Sequence, residues 1–333
     1  METSLTKYRD RFHKLAVSVL WRQWSALGVS GYARTEDDRV IDPEALLLFS
    51  TWAARYDSRL FDEILDWLRQ NGEWINIQRL SRLQKQFKIA EPTILAAIGD
   101  FLSQQSEHRK WKSLTRKVHP LAEPCALFID LPAYGKPDEI FLRWGWRRNP
   151  PQTRGMSQFP PVNVCSSFLF KLRALFGTQS RADIIGWLLT HESGHPAAIA
   201  RELGYFPRSV QLVLNDLAQS GHIQTMRVGR EKHFAVRHDE WRYLITWSEP
   251  PKFPEWEDWT GRFAILRRAA GLIDRPDLDQ LSAEVQAIEM RKILDPAAYG
   301  RTESGRLLGL PKNELKGDDY LVAGVNVLNH LLS

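Results

Sequence analysis

Apolar side chains recur at helical spacing in three consecutive segments near the middle of the chain, residues 181–191, 196–203 and 207–219. Spacings of three and four residues place such side chains on one face of a helix. The second and third segments begin at a proline and end near a glycine, which is the usual placement of these residues at helix termini. The apolar stripes consist of Ile184, Ile185, Leu188 and Leu189, of Ile199 and Leu203, and of Val210, Val213, Leu214 and Leu217. The pattern therefore predicts three short helices.

Two alternating segments follow the third helix. Residues 222–228 and 232–236 are joined by Gly229, Arg230 and Glu231. Alternation around a short turn that contains glycine is typical of a β-hairpin. Three helices followed by a hairpin form the element order of a winged helix-turn-helix.

This middle part of the chain resembles the winged helix-turn-helix of bacterial regulators of the MarR and ArsR kind. It is also similar to winged-helix antitoxins and autorepressors encoded beside toxin genes. The resemblance implies that helix 207–219 enters the major groove of DNA and that hairpin 223–236, the wing, approaches the backbone or the minor groove. The segments that carry it are Arg173-Ala-Leu-Phe-Gly177, residues 181–190, Ala198-Ile-Ala-Arg-Glu-Leu-Gly204, residues 209–217 and Ser220-Gly-His-Ile223.

Candidate DNA-binding side chains lie on the outer face of the third helix and on the hairpin. Arginine forks and amides pair with base edges, and cations on a ribbon contact phosphates. The candidates are Pro207, Arg208, Ser209, Gln211, Leu212, Asn215, Arg227, Arg230 and Lys232. We therefore expect a sequence-specific transcriptional regulator that binds double-stranded DNA. Because winged helices also bind proteins, the alternative is an antitoxin or adaptor that holds a protein partner such as a toxin.

The whole pattern predicts a mainly α chain with small β-hairpins, of the α+β class, in which the central winged helix is flanked by helical domains. Residues 1–104 are expected to form a helical N-terminal domain, and residues 105–163 a basic linker with a β-hairpin. Residues 164–248 would hold the winged helix. Residues 249–333 would form a C-terminal helical domain, which is a candidate for dimerisation, so we expect a homodimer, with packing inside one monomer as the alternative.

Residues 58–104 are open to two interpretations. Three predicted helices with a short strand at residues 74–77 follow the order of a degenerate second winged helix that lacks a wing, and an ordinary helical packing domain is equally compatible. The middle helix carries basic side chains that form either a phosphate-binding face or a solvated helix face. They are Arg79, Arg82, Lys85 and Lys88.

Residues 105–154 are basic and aromatic. A basic run at residues 108–117 is either a phosphate-contacting segment or a charged linker. A β-hairpin is predicted from residues 125–130 and 139–146, followed by arginines that extend to Arg154. Its tryptophans either pack on a sheet face or stack on single-stranded bases, which would indicate a nucleic-acid enzyme or accessory factor. The last 85 residues predict three helices, and the stripe of the second consists of Leu278, Leu281, Val285 and Ile288.

Charge and composition indicate which part of the chain is basic and in which compartment the protein is expected. The net charge of +5 arises in the middle, where residues 101–170 hold ten basic and five acidic side chains and residues 171–248 hold ten and seven. The two cysteines, Cys125 and Cys165, form no disulfide framework and are expected to be buried thiols. No apolar stretch is long enough to span a membrane and no signal peptide is recognisable. We therefore expect a cytoplasmic protein of two or three domains.

One string carries a catalytic motif. His191-Glu-Ser-Gly-His195 matches the H-E-x-x-H pattern of zinc proteases, in which two histidines lie one helical turn apart. Gly194 and Pro196 disfavour a helix there, so the two imidazoles are not expected to share a face. No phosphate-binding loop or nucleophile elbow occurs elsewhere. We expect no catalytic residues, no metal and no cofactor.

Overall fold

Helices make up most of the chain in a computed structural model that describes residues 5–31, 38–129, 131, 135–295, 311 and 314–333. The predicted mainly α class is confirmed, and the described strands form two small sheets. The helices are α1 Leu5–Ala26, α2 Pro43–Ala53, α3 Ser58–Asn71, α4 Ile77–Phe87, α5 Pro92–Leu102, α6 Glu139–Arg143, α7 Phe168–Phe176, α8 Ser180–Thr190, α9 Pro196–Leu203, α10 Pro207–Gln219, α11 His238–Trp241, α12 Trp259–Ile273, α13 Ala283–Ile293 and α14 Gly317–Leu331. The strands are β1 Cys125–Ala126, β2 Trp146–Arg147, β3 Ile223–Val228 and β4 Glu231–Val236.

The central unit, which we define as α8, α9, α10, β3 and β4, begins and ends its helices close to the predicted residues. α9 and α10 begin at prolines because the first helical position needs no amide hydrogen. α9 ends at Gly204, whose φ of 70° places it in the left-handed region. β3 and β4 pair antiparallel, with Ile223 opposite Val236 and Val228 opposite Glu231.

The central unit has its own hydrophobic core. The inward stripes of the three helices meet the inner face of β4, and α7 packs against α8. Val40, which precedes α2 in the chain, also lies in this core. Its buried members include Phe168, Ile184, Ile185, Leu188, Leu203, Leu214, Phe234 and Trp241. Burial of this size fixes the three helices and the hairpin as one packed structure.

The two ends of the chain share a second core, which we call the helical body and which is formed mainly by α1–α6 and α12–α14. α2 packs against α12, where the Phe49 and Phe263 rings stack at 4.5 Å between centroids. α1 packs against α14, where the Tyr8 hydroxyl donates to Asn329 Oδ1 at 2.9 Å. Segments 1–104 and 249–333, expected as separate helical domains, therefore pack together because the apolar faces of their helices cover one another.

The prediction of a β-hairpin at residues 125–146 is wrong. β1 and β2 pair parallel, with Cys125 opposite Trp146, and most of the second predicted strand forms α6. Asp138 causes this change because its side chain accepts hydrogen bonds from the Ile140 and Phe141 amides and so caps a helix. Gly145, with φ of 87°, then turns the chain into β2.

Two further predictions fail at helix starts. Residues 74–77 form no strand, because a 3-10 turn covers Gly72–Trp74 and the Asn76 side chain caps α4 at the Arg79 amide. On α13 the predicted inward residues Val285 and Ile288 are 41% and 52% exposed. A 3-10 turn at Leu278–Gln280 precedes this helix, so the apolar spacing does not continue into it, and the buried positions are Gln286, Ala287 and Met290.

The thiols also differ from expectation. Cys125 is exposed because β1 lies at the surface, and Cys165 is only half-buried. None of the helices in the described part of the chain combines the length and apolar composition that a bilayer span requires.

Candidate nucleic-acid interface

α10 presents two chemically different faces. Val210, Leu214 and Leu217 are buried against the rest of the central unit. The predicted reading residues lie on the other side: Pro207, Arg208, Ser209, Leu212 and Asn215 are exposed, and Gln211 is half-buried. The helix therefore offers a mostly polar surface, interrupted by the exposed Leu212, over about three turns.

The polar side chains on this face suit base edges. The Gln211 amide donates to Asn215 Oδ1 at 3.0 Å across one helical turn, so the two amides are already aligned side by side. Arg208, at the start of the helix, makes no ion pair with the residues that the structure describes. An exposed guanidinium and an amide pair supply the donors and acceptors that bidentate base recognition uses.

The hairpin concentrates positive charge. Arg227 on β3 lies directly opposite Lys232 on β4, and Arg230 stands in the connecting turn beside Gly229. All three cations are exposed. Like charges directly opposite each other disfavour strand pairing, and none of the three makes an ion pair with a residue that the structure describes. The Lys232 ammonium also lies 4.8 Å from the centre of the Phe234 ring, which holds its stem along the strand.

A backbone bridge fixes the hairpin to the helices. The Gly194 amide donates to the Phe234 carbonyl at 2.9 Å, and the Phe234 amide donates to the Gly194 carbonyl at 3.0 Å. A β-carbon at position 194 would overlap the Trp187 ring, so only glycine fits this close approach. The connection between α8 and α9 thus acts as a short third strand beside β4.

The histidines of the H-E-x-x-H string lie in this connection. α8 ends at Thr190, and the extended backbone of His191 follows it. The His191 ring stacks on Trp187 at 3.8 Å, and His195 caps α9 through its Nδ1 atom. Within the described ranges, no group of three or more histidine, cysteine or acidic side chains is arranged to hold a metal ion.

A buried ionic cluster joins the central unit to the helical body. Arg173 of α7 donates to both oxygens of Glu44 at 2.8 Å and to Asp183 at 3.1 and 3.2 Å. Arg79 of α4 donates to Glu44 at 2.6 Å and through Nη1 to Asp42 at 2.7 Å. All five side chains are buried. Charges so far from water are tolerated only when they are paired, so the cluster holds the two parts in one relative orientation.

The turn between α9 and α10 is tied to the same cluster. Arg79 Nε donates to the Leu203 carbonyl at 2.7 Å, the Tyr205 hydroxyl donates to Asp183 at 2.7 Å, and the Asn76 amide donates to Tyr205 at 3.0 Å. Burial and the neighbouring Asp183 charge raise the pKa of Tyr205 well above its ordinary value. Its hydroxyl therefore stays protonated and remains a donor.

The charges in the cluster stabilise one another. Burial alone would raise the pKa of Asp42, but the charge of Arg79 and its hydrogen bonds outweigh burial and hold that pKa below its ordinary value. Burial likewise opposes the charge on Arg79, yet Asp42 and Glu44 raise the pKa of Arg79 well above its ordinary value. Sequence spacing gave no sign of these pairs. The available signals were the charged side chains of Arg79, which lies beside an apolar stripe, and of Arg173, which lies in the largely apolar α7.

The solvated-face interpretation of α4 is therefore wrong for Arg79. Lys85 and Lys88 are exposed, and Arg82 is half-buried with its guanidinium 3.6 Å from the centre of the Phe206 ring. Phe206, which immediately precedes α10, is 64% exposed.

The basic and aromatic segment at residues 105–154 mostly packs on the helical body. Lys110 donates to the Glu73 and Ile75 carbonyls at 2.6 and 2.8 Å. Trp144 and Trp146 are buried, with indole hydrogen bonds to Asp100 at 3.2 Å and to Thr93 at 3.0 Å. Neither ring is free to stack on a base, so the hydrophobic-packing interpretation of these tryptophans is the correct one. Three of the arginines of this segment have carboxylate partners: Arg143 with Asp100, Arg148 with Asp62 and Arg154 with Glu63.

Comparison of the chain with protein-family models, with curated proteins and with solved structures found no match. The functional argument accordingly depends on the residues and geometry given above.

Proposed function

We propose that this chain is a sequence-specific double-stranded DNA-binding protein that regulates transcription, with the central unit as a winged helix-turn-helix. The order α8, α9, α10, β3, β4 supports the assignment. The backbone bridge between Gly194 and Phe234 supports it further, because it adds the short third strand that braces a wing against its helices.

The observation that carries the proposal is the combination of two surfaces on one packed unit. The outer face of α10 carries Arg208, Gln211 and Asn215, whose fork and amide groups match base edges. The hairpin carries uncompensated cations that match phosphates. α10 would lie in the major groove, and the β3–β4 turn would reach the neighbouring backbone or minor groove.

Two energetic terms would add in such a complex. The first is the binding energy from phosphate contacts, which would come from Arg227, Arg230 and Lys232 and would weaken as the salt concentration rises. Each contact would contribute about 0.9 to the slope of log K against log salt concentration. The α10 side chains would supply the term that distinguishes one sequence from another, at about 1–3 kcal/mol for each bidentate base contact.

The deciding experiment measures binding of the purified chain to the DNA upstream of its own gene and to unrelated duplex of equal length, at two salt concentrations. We expect preference for its own upstream DNA, and this preference should persist at the higher salt. Equal and strongly salt-sensitive binding to both duplexes would contradict sequence-specific regulation. Single-stranded DNA as competitor separates this function from a single-strand accessory role.

A second candidate function is binding of a protein partner, as an antitoxin or adaptor. The observation in its favour is exposed apolar surface on the proposed reading elements. Phe206, Leu212, Met226 and Val228 are 64%, 48%, 41% and 50% exposed, and such side chains are common in protein interfaces. Mixing the chain with the product of an adjacent gene and measuring the mass of the mixture tests this function. Loss of that complex in Leu212→Asp, with retention in Lys232→Ala, would support it.

A homodimer remains our prediction for the assembly, since paired half-sites are the usual targets of such modules. The C-terminal helices that suggested it pack on one side against α1 and α2, and α13 exposes Val285 and Ile288 on another side. Sedimentation of the full chain, alone and with duplex, measures the stoichiometry. A monomeric mass in both samples would contradict the prediction.

A further inference from the structure

α4 of the helical body lies against the turn between α9 and α10. The Arg79 hydrogen bond to the Leu203 carbonyl holds it there, and Leu83 packs so closely on Gly204 that a β-carbon at Gly204 would overlap the leucine side chain. The Asn76 amide adds a hydrogen bond to Tyr205. The outward side of α4 is therefore fixed beside the end of α10 that would enter DNA first.

Arg82 connects the two elements at the surface. Its guanidinium carbon lies 3.6 Å from the centre of the exposed Phe206 ring. The Arg82 Nε atom is buried and has no hydrogen-bond partner. An arginine stacked on an aromatic face can still direct the N–H groups of its terminal Nη atoms at a phosphate. The ring thus holds the Arg82 guanidinium beside Phe206, the residue that precedes α10.

The surface around Arg82 is cationic and polar. Residues 77–88 contain no aspartate or glutamate. Lys85, three residues after Arg82, is exposed and makes no ion pair with the described residues, and Gln78 and Ser81 are exposed on neighbouring turns. Because α4 carries no acid of its own, nothing within the helix neutralises these two charges.

We propose that α4 is a second DNA-contacting element, in which Arg82 and Lys85 bind phosphates of the duplex beside the groove that α10 enters. This inference rests on the proposed function and extends it, because it makes the helical body part of the DNA-binding surface. The protected DNA would then be longer, on the side of the α10 start, than a single winged helix covers. The buried ionic cluster would set the register between the α4 contacts and the α10 contacts.

The test compares Arg82→Gln/Lys85→Gln with the wild-type full chain on the duplex that the wild type prefers. Lys7→Gln/Arg11→Gln is the matched control, because it removes the same two charge types from exposed positions on the first half of α1. The readouts are binding across a salt series and hydroxyl-radical footprints. Lys85→Gln alone is measured as well, since this exposed substitution leaves packing intact. Circular dichroism melting checks that each variant is folded.

We expect the α4 double variant to lower the salt slope by about 1.8, since each phosphate contact contributes about 0.9. Lys85→Gln should lower it by about half as much, protection at one edge of the footprint should disappear, and the control should match the wild type. If the wild type binds its duplex but the α4 double variant has the same salt slope and the same footprint, the role of α4 is overturned and the proposed function stands. Absence of duplex binding by the wild type would overturn both.

Discussion

Replacement of Arg173 by methionine should destabilise the protein more than most single substitutions do. Arg173 is fully buried and directs every N–H group of its side chain at an acceptor: Glu44, Asp183 and the Trp74 carbonyl. Methionine fills much of the same volume but leaves the three buried carboxylates of the cluster with Arg79 as the remaining cation.

The magnitude follows from the cost of an unpaired buried charge. Removal of one partner of a buried ion pair costs about 3–5 kcal/mol, because the remaining charge is kept from water without compensation. The total stability of a folded domain is about 5–15 kcal/mol, so the variant would lose a large fraction of it. Adding Asp183→Asn removes one of the stranded charges, so the loss in the double variant should be smaller than the sum of the two single losses by about 1–3 kcal/mol.

Urea unfolding followed by circular dichroism measures these free energies. The matched control is Arg181→Met, an arginine on α8 whose ion pair with Asp216 at 3.3 Å is exposed. Such a surface pair contributes at most about 1 kcal/mol. The reasoning is refuted if Arg173→Met costs no more than Arg181→Met, or if the double-mutant cycle shows strict additivity.

Four further outcomes follow from the same geometry. Arg208→Ala should cost about 1–3 kcal/mol against the preferred duplex and relax specificity at one base pair, which competition with base-substituted duplexes measures; an equal loss on every sequence would contradict base contact. Lys232→Ala should weaken binding to all sequences alike and lower the salt slope by about 0.9, and an unchanged slope would remove the wing from the phosphate contacts. Gly194→Ala should destabilise the central unit by about 1–3 kcal/mol in urea unfolding, because the new methyl group overlaps the Trp187 ring; wild-type stability would show that the ring moves freely aside. The folded-state pKa of Asp42 lies below its unfolded value, so its contribution to stability is present above the unfolded pKa and is lost as pH falls through the folded pKa. Unfolding free energies of Asp42→Asn across the acid range should accordingly fall less steeply than those of the wild type, and parallel curves would contradict this linkage.

The local structure of the central unit was predictable because its determinants are close in sequence. Helical spacing, prolines at helix starts and Gly204 at a helix end each act within a few residues, and they led to the bounds of α9 and α10. The turn at Gly229 and Arg230 likewise specified the hairpin. The exposure of the outer face of α10 followed from the apolar stripe on its other side.

Predictions from local sequence failed where a helix cap or a turn changed the spacing or the type of the following element. Asp138 converted an apparent strand into α6 through two backbone hydrogen bonds, which β-propensity alone does not reveal. On α13, the turn before the helix shifted the apolar positions, so Val285 and Ile288 face outward. In both places a single capping or turn-forming segment outweighed the average preference of the residues around it.

The sequence by itself determined the helical class, the three helices and hairpin of the central unit, and the polar face that α10 exposes, since these depend on periodicity and on neighbouring residues. Only the tertiary structure decided that both ends of the chain share one core and that Arg79 is buried. It also brought Asp42, Glu44, Arg173 and Asp183 together and laid Arg82 on Phe206. The physical reason is that pairing energies between charges depend on distance and burial, and side chains on different elements, such as Arg173 and Glu44, acquire these only when the chain is packed.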